Sequence, residues 1–126
     1  MKTGANRMYA LGRLKAGQMN KTESMYSSEL HMLQLAGMVA WFKFEAIKLR
    51  LADNTFFTPD FAVMLPSGEM QLHEVKGYMM DDANVKIKVA AEMYPFRFFV
   101  CRTRAKKMAV VFQSRKYEQR SFPVNG

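Results

Sequence analysis

Apolar and polar positions divide the chain into an unpatterned leader and a patterned body. Residues 1–19 contain Gly4, Gly12 and Gly17 and little periodicity, so they read as an arm. A helix is predicted from residue 20, because Asn20 can cap it and Glu23 stands three residues on, at capping-box spacing. Tyr26, Leu30, Leu33 and Gly37 fall on one face of it, and Gly37 suits its end. Residues 39–48 are rich in aromatic and branched side chains and read as a strand that could run to Leu51, with Trp41 and Phe42 in the core. Asp53-Asn54 is a turn. Phe61, Val63 and Leu65 then alternate with Asp60, Ala62 and Met64, Pro66-Ser67-Gly68 makes a turn, and residues 69–76 run back. Asp81-Asp82 opens a second helix reaching about Tyr94, stopped by Pro95, with Val85, Val89 and Met93 as its buried stripe beside Ala90. Residues 96–102 are a strand, and 109–112 a short last one. The order αβββαβ predicts an α/β domain, a mixed β-sheet flanked by helices.

The hairpin has a consequence for chemistry. A type I turn with Gly68 in the left-handed position pairs Leu65 with Glu69, and stepping outward pairs Asp60 with Glu74. Directly opposed residues sit about 5 Å apart at Cβ on one face of the sheet, and Lys76, two residues further, shares that face. A one-residue slip would undo the pairing. Two carboxylates that share a site repel, and one ammonium balances only part of their charge. A hard divalent cation with oxygen ligands would complete the balance, and such a site can activate water against a phosphodiester. A cross-strand ion pair at a sheet edge is the alternative. His73 points to the face opposite Glu74 and reads as packed, and His31 as exposed.

Composition narrows the setting. At 126 residues, 49% hydrophobic and 13% aromatic, the chain is one globular domain. No apolar run nears the ~18 residues of a membrane span, and the N-terminus lacks a signal-peptide layout. The single Cys101 supports neither an internal disulfide nor a cysteine zinc site, so a reducing cytosol is the expected compartment. The net charge is +8, and it is clustered. Lys2, Arg7, Arg13, Lys15 and Lys21 have no acid among them, and residues 102–107 and 115–120 form two further basic groups. A polyanion is the partner such a surplus suggests; a merely solvated surface is the plainer reading.

Helix with an acid, strand, Pro-Asp hairpin, Glu-x-Lys, helix and strand resembles the core of the PD-(D/E)XK nuclease superfamily. Phe57-Thr58-Pro59-Asp60-Phe61 and His73-Glu74-Val75-Lys76-Gly77 are similar to a phage-encoded branch of endonucleases. The Glu-Val-Lys-Gly segment, followed by Asp-Asp and a Lys-bearing helix, also resembles phage Holliday-junction resolvases of the endonuclease I type. The resemblance covers about two-thirds of the chain, from residue 20 to 99. It implies a restriction-endonuclease-like core over residues 20–113, between a basic arm (1–19) and a basic tail (114–126). It implies that Asp60, Glu74 and the backbone carbonyl of Val75 bind Mg²⁺, which Mn²⁺ could replace, and that Lys76 orients water or stabilises charge on phosphorus. Glu23 is the candidate for the superfamily's helix acid, with Glu29 as the alternative. Glu45 is open to two readings, a second metal ligand or an ion pair with Lys43 or Lys48.

The expected activity is Mg²⁺-dependent hydrolysis of DNA, in a phage Holliday-junction resolvase or related structure-selective nuclease working in the host cytoplasm. Two symmetric cuts would require a homodimer. Lys21, Arg104, Lys106 and Lys107 are the expected phosphate contacts, together with one of Lys86 and Lys88, which lie 200° apart on a helix. Two rivals stand beside this reading. One is a nuclease acting on flaps, nicks or a specific site, and the other a non-catalytic nucleic-acid-binding protein with the same fold.

Overall fold

The computed structural model describes residues 17–76, 84–104 and 107–113. Helix α1 (Lys21–Leu35) is followed by strands β1 (Trp41–Phe44), β2 (Leu49–Ala52), β3 (Thr55–Phe57), β4 (Phe61–Met64) and β5 (Met70–Lys76). Helix α2 (Asn84–Met93) and strands β6 (Arg97–Arg104) and β7 (Lys107–Gln113) complete the described elements. Five strands form a mixed sheet in the order β1-β4-β5-β6-β7, and β2 and β3 form a separate hairpin. Among the described strands only β5 and β6 run parallel, and α2 lies in the connection between them, as a parallel pair requires. The fold is α/β.

Local chemistry sets the elements. The Asn20 side chain accepts from the Glu23 N–H and the Glu23 carboxylate accepts from the Asn20 N–H, both at 2.8 Å. That reciprocal capping box starts α1. At its end Gly37 takes φ +82, while Gly37 N–H donates to Gln34 O and Met38 N–H to Leu33 O, the two bonds of a Schellman motif.

Two layers of core hold the sheet. Tyr26 and Leu30 of α1 pack with Val39, Phe61, Val63, Val75 and Cys101 on one face. Ile87, Ala90 and Ala91 of α2, with Leu49 and Phe57 of the small hairpin, pack on Ala62, Leu72, Phe98 and Val100 on the other. Each fully buried Leu or Phe in such a layer contributes roughly 1.5–3 kcal/mol.

Four sequence expectations are corrected. Residues 39–48 do not form one strand: Glu45 adopts φ +48, which ends β1 and sends the chain into the β2–β3 hairpin in a different sheet. Asp53-Asn54 is the turn of that hairpin, Asn54 taking φ +54, and β3 was not expected. Trp41 lies exposed on the edge strand, not in the core, whereas Phe42 packs against it. On α2 the buried stripe is the other one. Val85, Val89 and Met93 are 74%, 38% and 50% exposed, while Ile87 and Ala90 are 2% and 0%. The helix lays Ile87, Ala90 and Ala91 on the sheet and the small hairpin. Leu33 is likewise exposed on α1. The second helix was expected to open at Asp81-Asp82; residues 77–83 lie outside the described residues, and its described part begins at Asn84.

Candidate active site

β4 and β5 pair Phe61 with His73 and Met64 with Met70, and Leu65 N–H donates to Glu69 O at 2.9 Å. Gly68 closes the turn at φ +96, with its N–H on Leu65 O at 2.8 Å. This is the register that the turn chemistry predicted, and one step further outward it sets Asp60 opposite Glu74. Pairs alternate between hydrogen-bonded and not, so 65/69, 63/71 and 61/73 are bonded pairs while 60/74 is a non-bonded pair, in which side chains come closest.

The two acids close over the end of this ladder. Asp60 Oδ2 accepts the Val75 N–H at 2.7 Å, and Glu74 Oε1 accepts the Asp60 N–H at 3.2 Å. Glu74 Oε2 lies 3.5 Å from Lys76 Nζ, with the two side chains only 16% and 11% exposed. A strand residue sends its N–H and C=O out on the same side. Because the Val75 N–H meets Asp60, its carbonyl is directed to that side too. Phe61, next to Asp60, is fully buried, and its ring meets those of Tyr26, Phe42 and Phe44 at 5.6, 6.4 and 5.3 Å. The backbone under the acid is therefore clamped.

Among the described residues the site lacks positive charge. Burial raises the pKa of Asp60 most, and repulsion from Glu74 and then from Glu23 adds to it, against the lowering effect of the Val75 N–H. Burial also raises Glu74, opposed by Lys76. One ammonium does not neutralise this group of carboxylates.

The other expected residues fall into three sets. Of the acids on α1, Glu23 acts on both Asp60 and Glu74, while Glu29 acts on Tyr26 and Cys101. Glu23 thus serves the helix cap and adjoins the paired acids. Glu45 lies across from Asp60 in the β1–β4 ladder, its N–H donating to Asp60 O at 2.7 Å. Its side chain is exposed and accepts the Gly17 N–H at 2.8 Å, and among the described residues it forms no ion pair with Lys43 or Lys48. Lys86 Nζ donates to the Phe56 carbonyl at 3.0 Å and fastens the small hairpin to α2. Lys21 and Lys88 are exposed. The side chains of Arg104, Lys106 and Lys107, the arm up to residue 16 and the tail from 114 lie outside the described residues.

Sequence reasoning missed a polar chain on the opposite face of β5. Tyr26 O–H meets His73 Nδ1 at 2.7 Å, His73 Nε2 meets Gln71 Oε1 at 2.9 Å, and Gln71 Nε2 donates to Glu69 Oε2 at 2.6 Å. Cys101 Sγ donates to the Tyr26 oxygen at 3.5 Å. Since Gln71 spends its amide on Glu69, its oxygen must accept, which puts the His73 proton on Nε2 and leaves Nδ1 to accept from Tyr26. Burial lowers the His73 pKa to about 4, so the ring is neutral and packed, as expected of it. The available signal was polar residues on the second face of a central strand, which must find partners when buried.

Among the described residues no three His, Cys, Asp or Glu side chains converge as a ready-made metal cage. Mg²⁺ does not require one. It keeps several waters and is held through one or two carboxylates plus substrate phosphates, which suits two under-neutralised carboxylates and a carbonyl. Among the described residues no helix is long and apolar enough to cross a membrane. Neither family models nor curated proteins match the chain.

Proposed function

We propose that this chain is a Mg²⁺-dependent DNA endonuclease with a restriction-endonuclease-like core of the PD-(D/E)XK type, acting on branched DNA as a homodimeric phage resolvase or related structure-selective nuclease in the host cytoplasm. The observation that carries the reading is the pair Asp60 and Glu74, half-buried at the open end of the β4–β5 ladder with Lys76 as the one adjacent ammonium among the described residues. An isolated cross-strand ion pair would match one acid with one base. Among the described residues the acids outnumber the base, and a half-buried excess of negative charge is costly unless a cation joins it.

Asp60, Glu74 and the Val75 carbonyl would hold the cation, which when bound supplies neutralising charge and lowers the pKa of a water it carries. The chain's own groups do the rest. The Val75 and Asp60 N–H groups fix both carboxylates, so no reorganisation is needed when substrate arrives. Lys76 sits where its ammonium can counter the charge that grows on the phosphoryl oxygens in the transition state. Glu23 adds a third negative charge beside Asp60 and strengthens the site's preference for a cation. The +8 net charge supports a polyanionic substrate.

The test is cleavage of labelled four-way junction, flap, duplex and single-stranded DNA, with Mg²⁺ or with chelator. Junction cleavage that needs Mg²⁺ is expected, and Asp60→Ala should lower it by roughly 100-fold or more. A wild-type protein that cuts none of these substrates would sink the enzyme reading. Undiminished cutting by Asp60→Ala would sink the site.

A further inference from the structure

The β2–β3 hairpin carries a group of side chains that neither the core nor the paired acids use. It pairs Leu49 with Phe57 and Arg50 with Phe56. Leu49 and Phe57 are buried in the layer shared with α2, Ala62 and Leu72, so the pleat turns Arg50 and Phe56 outward. Phe56 is 39% exposed, an apolar ring left partly in water beside a cross-strand guanidinium. Lys48 Nζ lies 4.6 Å from the ring centroid. Lys86 reaches over from α2 to the Phe56 carbonyl, and because an ammonium has three protons, two remain for other acceptors. One cation thus lies over the aromatic ring, a guanidinium stands across the ladder from it, and the Lys86 ammonium meets its backbone carbonyl. Among the described residues Asp53 is the acid that meets Arg50, at 4.0 Å between two well-exposed side chains, a contact too weak to cancel the charge.

The position of this group gives it meaning. The hairpin packs over Ala62 and Leu72. Asp60 and Glu74 lie two residues along the same strands, hence on the same face of the sheet. Phe56 precedes Asp60 by four residues, so chain geometry keeps their Cα atoms within about 14 Å. At about 3.4 Å per nucleotide, that is roughly four nucleotides of stacked strand. One bound strand can therefore touch both. Exposed aromatic rings flanked by cations are how proteins hold unpaired bases and the phosphates beside them.

The geometry points to the β2–β3 hairpin as a second DNA contact, in which Phe56 stacks on an unpaired base while Lys48, Arg50 and Lys86 take the adjoining phosphates. The choice of DNA as the polyanion rests on the nuclease reading above. The contact favours single-stranded DNA and the open centre of a junction over continuous duplex, because only an unstacked base presents its face.

The experiment is fluorescence anisotropy of labelled single strand, junction and duplex in chelator, across a salt series, with wild type, Phe56→Ala, Phe56→Leu, Lys48→Ala and Arg50→Ala. Unfolding midpoints identify any variant that does not fold. Phe56→Ala should weaken single-strand and junction binding roughly 5- to 150-fold, the range for one stacked base, and leave duplex binding close to wild type. Phe56→Leu fills the same space without an aromatic face and should behave like Phe56→Ala. Each cation variant should reduce the log–log salt slope by about 0.7 on single strands. Wild-type binding by Phe56→Leu would overturn the stacking, and unchanged salt slopes would overturn the phosphate contacts. The two readings fail separately. A wild type that cuts DNA while these variants bind normally removes only the hairpin contact. A wild type that binds through Phe56 but never cuts removes only the nuclease.

Discussion

Asp60 and Glu74 hold their carboxylates under opposing demands: backbone N–H groups favour the charged form, while burial and mutual repulsion favour the protonated one. Burial dominates, and both pKa values are raised. The folded protein therefore holds protons that the unfolded chain gives up in the ordinary carboxylate range. By linkage, the stabilisation is complete below that range and is lost as pH rises through the raised value of Asp60 in the fold. His73 acts in the opposite sense, because a lowered pKa destabilises the fold as pH falls through about 4. A comparison that changes only Asp60 separates the two. In chelator, wild type should lose stability relative to Asp60→Asn as pH rises from 4, by up to about 1.4 kcal/mol per pH unit. Asparagine keeps an acceptor for the Val75 N–H without the charge, so above neutral pH the variant should be the more stable protein. Urea midpoints across pH check this, and parallel curves for the two proteins would refute it.

At the scale of elements, α1 links fold and site through Glu23, whose carboxylate closes the capping box and also acts on Asp60. The two roles come apart under substitution. Glu23→Gln can still accept the Asn20 N–H, so the melting midpoint should move by the equivalent of less than about 0.5 kcal/mol. Mg²⁺-dependent cleavage should nonetheless fall, because the charge beside Asp60 is gone. Glu23→Ala should lose both, with about 1 kcal/mol of stability. Full activity in Glu23→Gln would show that its charge serves no purpose at the site. The same helix shows what the sequence could convey. Its ends were legible because caps are local chemistry, and the β4–β5 register was legible because Gly68 admits one turn geometry. The apolar face of α2 was not, because Val85, Val89 and Met93 form as regular a stripe as Ile87, Ala90 and Tyr94. Only packing against the sheet and the small hairpin selects between them. Nor was the break at Glu45 legible, since a non-glycine residue at positive φ carries no pattern of its own.

For the molecule as a whole, the sheet order places β5 at the centre, with the acids at the end where β4 stops pairing with it. Both helical layers press on that strand, Tyr26 through His73 from one face and α2 through Leu72 from the other. Repulsion between the acids is part of what raises Asp60 in the fold. A cation that binds only the folded chain should relieve it, stabilising by RT ln(1 + [L]/Kd), about 2.7 kcal/mol at a hundredfold excess over Kd. Titrating Mg²⁺ at constant ionic strength should therefore raise the wild-type unfolding midpoint with that logarithmic dependence. Asp60→Asn and Glu74→Gln should respond no more than wild type does to the matched increment of NaCl. Screening of the +8 net charge would raise all three proteins alike. A wild-type response no larger than that of the variants would mean that the acids are not the cation site, whatever DNA the protein binds.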